Sequence, residues 1–389
     1  KNGNFKLLRS STLLDSLGYF YGSITKLLGF KPHRHEGKVL GLAAHGNPNL
    51  AYEDIAKMIS FDTKKNNFTS HPENGLYLPL FNNSNLNKLS KKYSKKDIAA
   101  ATQKRLEDVI LDYISSLRQK NFKLCLAGGI FSNVKLNQKI SELEKVNDVF
   151  IFPNMGDGGL CVGSSILCEN KFKKIKSKKL NNYYLGFNYS EEYILDKIRK
   201  YKLKKIYKKN QTNIIAKKLN EGKIIGIFQG KCEFGPRSLG NRSIFVNTAD
   251  KKINKILNNK LGRTEFMPFA PITLNTHCKK MYSNYKKGKY TSRFMTKTYD
   301  CTNYMKKISP AVIHIDGTAR PQAIHKNQNK IIYDILNKYF KLSKIPNLIN
   351  TSFNMHEEPI VCTPEDAIKS FLKSKIDYLY IENFLIEKP

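Results

Sequence analysis

Acidic residues are scarce in this chain: 32 Asp and Glu stand against 67 Lys and Arg, a formal charge of +35 over 389 residues. Arginine is scarcer still, with 10 Arg against 57 Lys. A basic chain invites a nucleic-acid function, but base reading and buried phosphate sites favour the planar fork of Arg. The Lys are spread over the whole length, which reads as a solvated surface with non-specific polyanion affinity. No apolar run approaches the ~20 residues that a membrane-spanning helix needs. No N-terminal signal peptide is visible. The seven Cys form no CxxC pair and mostly sit in apolar segments, which fits reduced, buried thiols of a cytoplasmic protein and argues against a zinc site built from Cys. The eight His form no HExxH or HxxxH pair, and GxSxG and GxxxxGK[ST] are missing too. These absences count against a helical metal pair, a hydrolase elbow and a P-loop. The chain opens on Lys1 instead of Met, so its coding sequence is expected to begin upstream.

What is present is a core of 40% hydrophobic residues and a length that suits two domains. Helical spacing covers 13–30 and 97–120. A strand over 123–127 ends at Gly128-Gly129 and leads into a helix to about 140. A strand over 149–152 leads to Gly156-Asp157-Gly158-Gly159 and a helix of small residues. Strand, glycine turn, helix, twice over, is the grammar of an α/β sheet that binds nucleotides at strand C-termini. Residues 171–180 carry six Lys in ten and read as a linker. The expected division is therefore 1–170, the linker 171–180, and 181–389. In the last segment strands are expected at 224–228, 243–247, 269–273, 311–315 and 347–350. Helices are expected at 213–220, 251–259, 331–340 and 364–372, the last opened by Thr363 as cap and Pro364 at its first position.

Several stretches carry chemistry. Glu36 and Lys38 precede a run of small residues and suit either a ribose or phosphate contact or a tight helix packing. Gly128 and Gly129 let the backbone lie against a flat base, with Asn133 as a nucleoside partner. Asp157, flanked by glycines, suits a metal or phosphate-bound cation, or else a turn cap. The stretch from Lys231 to Ser243 holds Arg237 and Arg242 around a Gly-Pro turn, where backbone N–H groups and guanidiniums would converge on a compact anion. Arg320 follows another expected strand, and Asn350, Ser352 and Asn354 offer short polar side chains at a strand end. Together these read as one polar pocket.

In order along the chain, EGKVLGLAAHGNP (36–48), LAGGIFSN (126–133), GDGG (156–159), FQGKCEFGPRSLGNRSI (228–244), PFAP (268–271), DGTARPQ (316–322) and NTSFN…EEPIVCTPEDA (350–367) resemble the NodU/CmcH-type O-carbamoyltransferases. The resemblance implies an α/β chain: the C-terminal part of an actin-like ATPase (ASKHA) domain followed by a YrdC-like domain. It implies that ATP and carbamoyl phosphate form carbamoyl-adenylate in the second domain, and that the first passes the carbamoyl group to a hydroxyl of a sugar or natural product. Arg237, Arg242 and Arg320 are then the catalytic cations. Lys231, Arg263, Asn350, Ser352 and Asn354 complete the carbamoyl-phosphate and ATP site. Glu36, Lys38, Gly128, Gly129 and Asn133 hold a nucleotide in the first domain, and Asp157 holds a metal. The implied cofactors are ATP, Mg2+ and a second divalent ion, iron among the options. The implied partners are carbamoyl phosphate and a hydroxyl-bearing acceptor, with no membrane and no specific nucleic acid. The chain is expected either to form a homo-oligomer or to lack an N-terminal segment. Two departures stand out: the opening phosphate loop and His-rich motif of such proteins are missing, and Met267 occupies a position usually basic, with Arg263 as a substitute. Rival readings are a tRNA-modifying (threonylcarbamoylation-like) or RNA-binding factor built on the same folds, and an inactive partner subunit.

Overall fold

The computed structural model describes residues 6–71, 84–117, 121–173, 180–204, 206–207, 209–262 and 269–389. Its internal contacts divide the chain into two units, Lys1–Lys176 and Ser177–Pro389.

The first unit is mainly helical. Helices α1 (Leu17–Leu27), α2 (Glu36–Ala43) and α3 (Pro48–Ala56) precede a hairpin of β1 (Ile59–Asp62) and β2 (Asn67–Ser70). Helices α4 (Ser84–Lys92) and α5 (Lys95–Ser115) follow, then β3 (Phe122–Leu126), α6 (Val134–Glu142), β4 (Val146–Ile151) and α7 (Leu160–Phe172). Ser94 opens α5 by accepting the Asp97 N–H, and the apolar stripe Ile98, Ala101, Leu106, Val109 and Ile110 is buried in the unit's core. The helix expected over 13–30 is shorter: a separate turn at Leu13–Asp15 precedes it, because Ser16 is extended (ψ 119°). Strands β3 and β4 pair in parallel, with α6 as the crossover. Helix α7 buries none of its residues, and Leu160, Ile166, Leu167 and Phe172 are exposed.

The second unit is built on one mixed sheet. Its elements run α8 (Glu191–Lys200), β5 (Ile206–Tyr207), α9 (Gln211–Asn220), β6 (Ile225–Phe228), β7 (Arg242–Val246), α10 (Ile253–Lys260), β8 (Ala270–Leu274) and α11 (Cys278–Met281). Then come β9 (Tyr299–Asp300), α12 (Asn303–Ile308), β10 (Thr318–Ala319), β11 (Gln322–Ile324), α13 (Lys330–Ser343), β12 (Asn347–Ser352), α14 (Pro364–Lys373), β13 (Tyr378–Ile381) and β14 (Phe384–Glu387). The eight-stranded order is β11-β8-β12-β7-β6-β13-β14-β5. Strands β6, β7, β8 and β13 are buried at every position, as expected of a sheet covered on both faces. Alternation sorts the side chains. Ile225, Ile227 and Phe245 pack with α9 and α13, while Phe228, Ile244 and Val246 pack with α8, α10 and α14.

The strand expected at 311–315 is instead a short turn, Pro310–Val312. Pro310 supplies no N–H to a ladder, and the Ala311 N–H is taken by Thr248 O at 3.2 Å. The cap expected at Thr363 forms a full capping box with Asp366. Of the Cys expected to be buried, only Cys278 and Cys301 are; Cys232 is half-buried and the other four are exposed. Among the described residues, no helix is long and apolar enough to cross a membrane.

Candidate functional site

Sheet register brings the polar motifs of the second unit to one end. Phe228 at the end of β6 pairs with Arg242 at the start of β7 and with Ile381 of β13. Ser243 pairs with Ser352, and Asn350 pairs with Ala270 at the start of β8. Gln322 opens β11 beside Ile272. The loop from Gln229 to Asn241 therefore crosses the same end as Asn350, Gln322 and Glu382.

Two carboxylates and one guanidinium hold that loop. Glu233 Oε1 accepts the backbone N–H groups of Leu239 (2.6 Å), Asn241 (2.8 Å) and Arg242 (3.2 Å). Glu382 accepts the Gly230 N–H at 2.6 Å, and burial raises its pKa. Ser243 Oγ accepts the Gly240 N–H at 2.9 Å. These bonds narrow the expectation that loop N–H groups would receive an anion, because those of Gly230, Leu239, Gly240 and Asn241, with Arg242 at the start of β7, are already spent. Gly230 (φ 51°) and Gly240 (φ 110°) supply left-handed backbone that few other residues tolerate.

Arg242 also departs from expectation. It is fully buried, and its guanidinium donates to Gln229 O (2.8 Å), Asn241 O (2.9 Å) and Gly230 O (3.0 Å) while stacking 3.7 Å over Phe228. It ties both ends of the loop together and has only Nε without a partner. Lys231 has an exposed side chain, and its carbonyl accepts from Asn241 Nδ2 at 2.7 Å.

Arg237 and Arg320 differ from Arg242. Both have buried Nε atoms without a partner, and neither forms an ion pair with an acid among the described residues. Burial pushes both below the usual arginine range. For Arg320 the drop is large, with burial the main cause and the positive charge of Arg237 a second. Beside them, Ser238 Oγ and Asn350 Oδ1 are also buried without partners. Asn350 Nδ2 donates to Gln322 Oε1 (2.7 Å) and Ser238 O (3.3 Å), and Gln322 Nε2 donates to Leu239 O (2.7 Å). Uncompensated buried cations and donors are costly; a bound polyanion would satisfy the two arginines and the Ser238 hydroxyl, while Asn350 Oδ1 calls for a donor. Asn354 is used structurally, because its Nδ2 closes a turn onto Met355 O (2.9 Å) and Glu358 O (2.8 Å). Ser352 is half-buried at the end of β12. Arg263 and Met267 lie outside the described residues.

Sequence reasoning missed Glu233, Gln322 and Glu382. An acid placed among glycines and prolines, in a chain short of acids, was the available signal for Glu233.

In the first unit, Glu36 and Asn133 border one buried polar network. Tyr21 OH donates to Gln103 Oε1 (3.1 Å), Gln103 Nε2 donates to Glu107 (2.7 Å), and Asn133 Nδ2 donates to Gln103 Oε1 (2.8 Å). Burial, then Glu107 and Glu36, raise the Tyr21 pKa. Asn133 Oδ1 also caps α6 through Leu136 N, so its amide is committed to the protein rather than to a nucleoside. Glu36 accepts the His33 N–H at 2.6 Å, and Lys38 is half-buried on α2. Gly128 needs its φ of 118°, whereas a Cβ on Gly129 would meet open space, which leaves room for a flat ligand there.

Asp157 is exposed in a short turn whose next two glycines pack against Asn154 and Phe152. Among the described residues no three His, Cys, Asp or Glu are placed to share an ion. One exposed carboxylate, with no further ligand grouped with it among the described residues, does not make a metal site.

Two family models match the chain: "Carbamoyltransferase N-terminus" over residues 3–166 and "Carbamoyltransferase C-terminus" over 216–388. An uncharacterised protein of Methanocaldococcus jannaschii is 37% identical over 99% of this chain and 75% of its own length. A second from that organism is 34% identical over 96% of this chain, which spans 62% of that relative. Nodulation protein NolO of Bradyrhizobium diazoefficiens is 28% identical over 96% of this chain and 69% of its own length.

Proposed function

Because the chain belongs to the carbamoyltransferase family, we propose that its second unit makes carbamoyl-adenylate and that the carbamoyl group then passes to a hydroxyl of a sugar or natural-product acceptor. In this reading the first unit is the C-terminal part of an actin-like ATPase domain and the second a YrdC-like domain. Carbamoyl phosphate, ATP and water yield carbamoyl-adenylate, phosphate and pyrophosphate. A carbamoyl oxygen bonds to the α-phosphorus as the bond to pyrophosphate breaks, and water supplies the oxygen that leaves with phosphate. ATP enters with its own Mg2+.

The observation that carries the reading is the pair Arg237 and Arg320, each with a buried, unpartnered Nε, the first lowering the pKa of the second, and neither paired with an acid among the described residues. Their charge is uncompensated until a phosphate arrives, and it is then aimed where pyrophosphate or phosphate charge develops. Ser238 Oγ adds a hydroxyl beside them. Arg242 and Glu233 act one step away by holding the loop that presents Arg237 and Ser238.

The test is ATP–pyrophosphate exchange dependent on carbamoyl phosphate. The folded chain is expected to exchange, and Arg237→Ala and Arg320→Ala are expected to lose it. Absence of exchange in well-folded protein, with Arg237→Ala indistinguishable from wild type in phosphate binding, would sink the proposal.

A further inference from the structure

The orphaned acceptor on Asn350 points to what the site selects, an inference that rests on the carbamoyl reading above. Asn350 is 2% exposed, and its Oδ1 has no donor. Its orientation follows from a chain of groups whose roles cannot be exchanged. The Leu239 carbonyl only accepts, so the Gln322 atom 2.7 Å from it is the amide nitrogen. Gln322 Oε1 therefore faces Asn350, and the Asn350 atom 2.7 Å away is Nδ2. The Ser238 carbonyl, 3.3 Å from that nitrogen, enforces the same choice. Oδ1 is left buried and unsatisfied.

The position of that acceptor matters. Asn350 touches Ser238, the neighbour of Arg237, and Gln322, two residues beyond Arg320. The other orphaned atoms here, Arg237 Nε and Arg320 Nε, only donate, and Ser238 Oγ does either. Asn350 Oδ1 alone requires a hydrogen-bond donor from its ligand. Carbamoyl phosphate has an amide NH2 next to its phosphate; acetyl phosphate has a methyl group of similar size that cannot donate.

We infer that Asn350 Oδ1 accepts an N–H of the carbamoyl amide and so sets the preference for carbamoyl phosphate over acyl phosphates that lack that donor. The arginines hold the phosphate, which the two ligands share, and Asn350 reads the group by which they differ. A polar site that hydrogen-bonds a substrate N–H rejects the analogue lacking it, because its own buried acceptor is then left unpaired.

The experiment is calorimetric titration of the chain at low temperature with fresh carbamoyl phosphate, acetyl phosphate and inorganic phosphate. Wild type is expected to bind carbamoyl phosphate roughly 10- to 100-fold tighter than acetyl phosphate. Asn350→Ala is expected to bring the two affinities together and to leave inorganic phosphate unchanged, which also reports an intact fold. Gln322→Leu leaves Asn350 in place but removes the shorter of the two bonds that fix its amide, leaving only the 3.3 Å bond to the Ser238 carbonyl, and it is expected to narrow the same ratio; this variant decides the matter if Asn350→Ala does not fold. Equal binding of the two acyl phosphates by wild type overturns the inference and leaves the carbamoyltransferase reading standing. So does an Asn350→Ala variant that weakens all three ligands alike, since Asn350 would then only brace the loop. Wild type that binds inorganic phosphate but neither acyl phosphate overturns the carbamoyl reading itself.

Discussion

Arg320 is held well below the ordinary arginine pKa by its burial and, beyond that, by the positive charge of Arg237 beside it. Two like charges with buried Nε atoms, and with no acid paired to them among the described residues, cost stability while the site is empty. Arg320→Met is therefore expected to unfold at the same or a higher temperature than wild type without ligand, by up to about 2 kcal/mol. The rise in melting temperature that phosphate gives wild type is expected to vanish. Thermal scans with and without phosphate check both; a destabilised variant that keeps the phosphate response would contradict the assignment.

Arg242 predicts the opposite pattern. Its three carbonyl contacts and its stacking on Phe228 are made with or without ligand. Arg242→Met is expected to lose about 2–4 kcal/mol of stability, read as a lower urea midpoint. If Arg242→Met matches wild type in stability but loses exchange, Arg242 rejoins the groups that hold the anion.

His325 gives the second unit a pH dependence. Burial, then Arg293 and Lys289, lower its pKa to about 4 from an ordinary 6.5. The unfolded chain takes up the proton that the folded chain refuses, so stability is complete above about 6.5 and falls as pH drops toward 4. The loss is on the order of 1 kcal/mol once solvent screening of a half-exposed ring is allowed for. His325→Asn is expected to flatten that part of the pH–stability curve. An unchanged slope between pH 7 and 5 would show that the ring titrates normally.

Lys388 closes the end of α14 by donating to the carbonyls of Phe371, Leu372 and Ser374 at 2.5, 2.8 and 2.6 Å. A cation there satisfies carbonyls that the helix leaves free and complements its dipole. Lys388→Met is expected to cost about 1 kcal/mol and to leave phosphate binding unchanged. Hydrogen exchange at the last turn of α14 checks the local origin of the loss.

Local grammar made much of this legible beforehand. Thr363, Pro364 and Asp366 announce α14 because a cap is a contact between near neighbours. The rarity of Arg pointed to Arg237, Arg242 and Arg320 alike, since scarce residues in a Lys-rich chain are informative where they cluster, but it could not tell which of them the loop itself consumes. Long-range partners were not legible. Gln103 claims the Asn133 amide from thirty residues away, and Arg242 is consumed by carbonyls whose direction depends on the backbone path of the loop. The apolar stretch after Pro310 has strand-like composition, but no ladder receives it.

Glu233 has a consequence for turnover. The three N–H groups it engages would otherwise be natural hosts for a departing phosphate. With those donors occupied by the chain's own carboxylate, an anion leaves without taking a backbone bond with it. In the proposed reaction those three donors stay with the loop through every cycle, so its backbone path there is set by the chain's own carboxylate and not by whichever anion is bound.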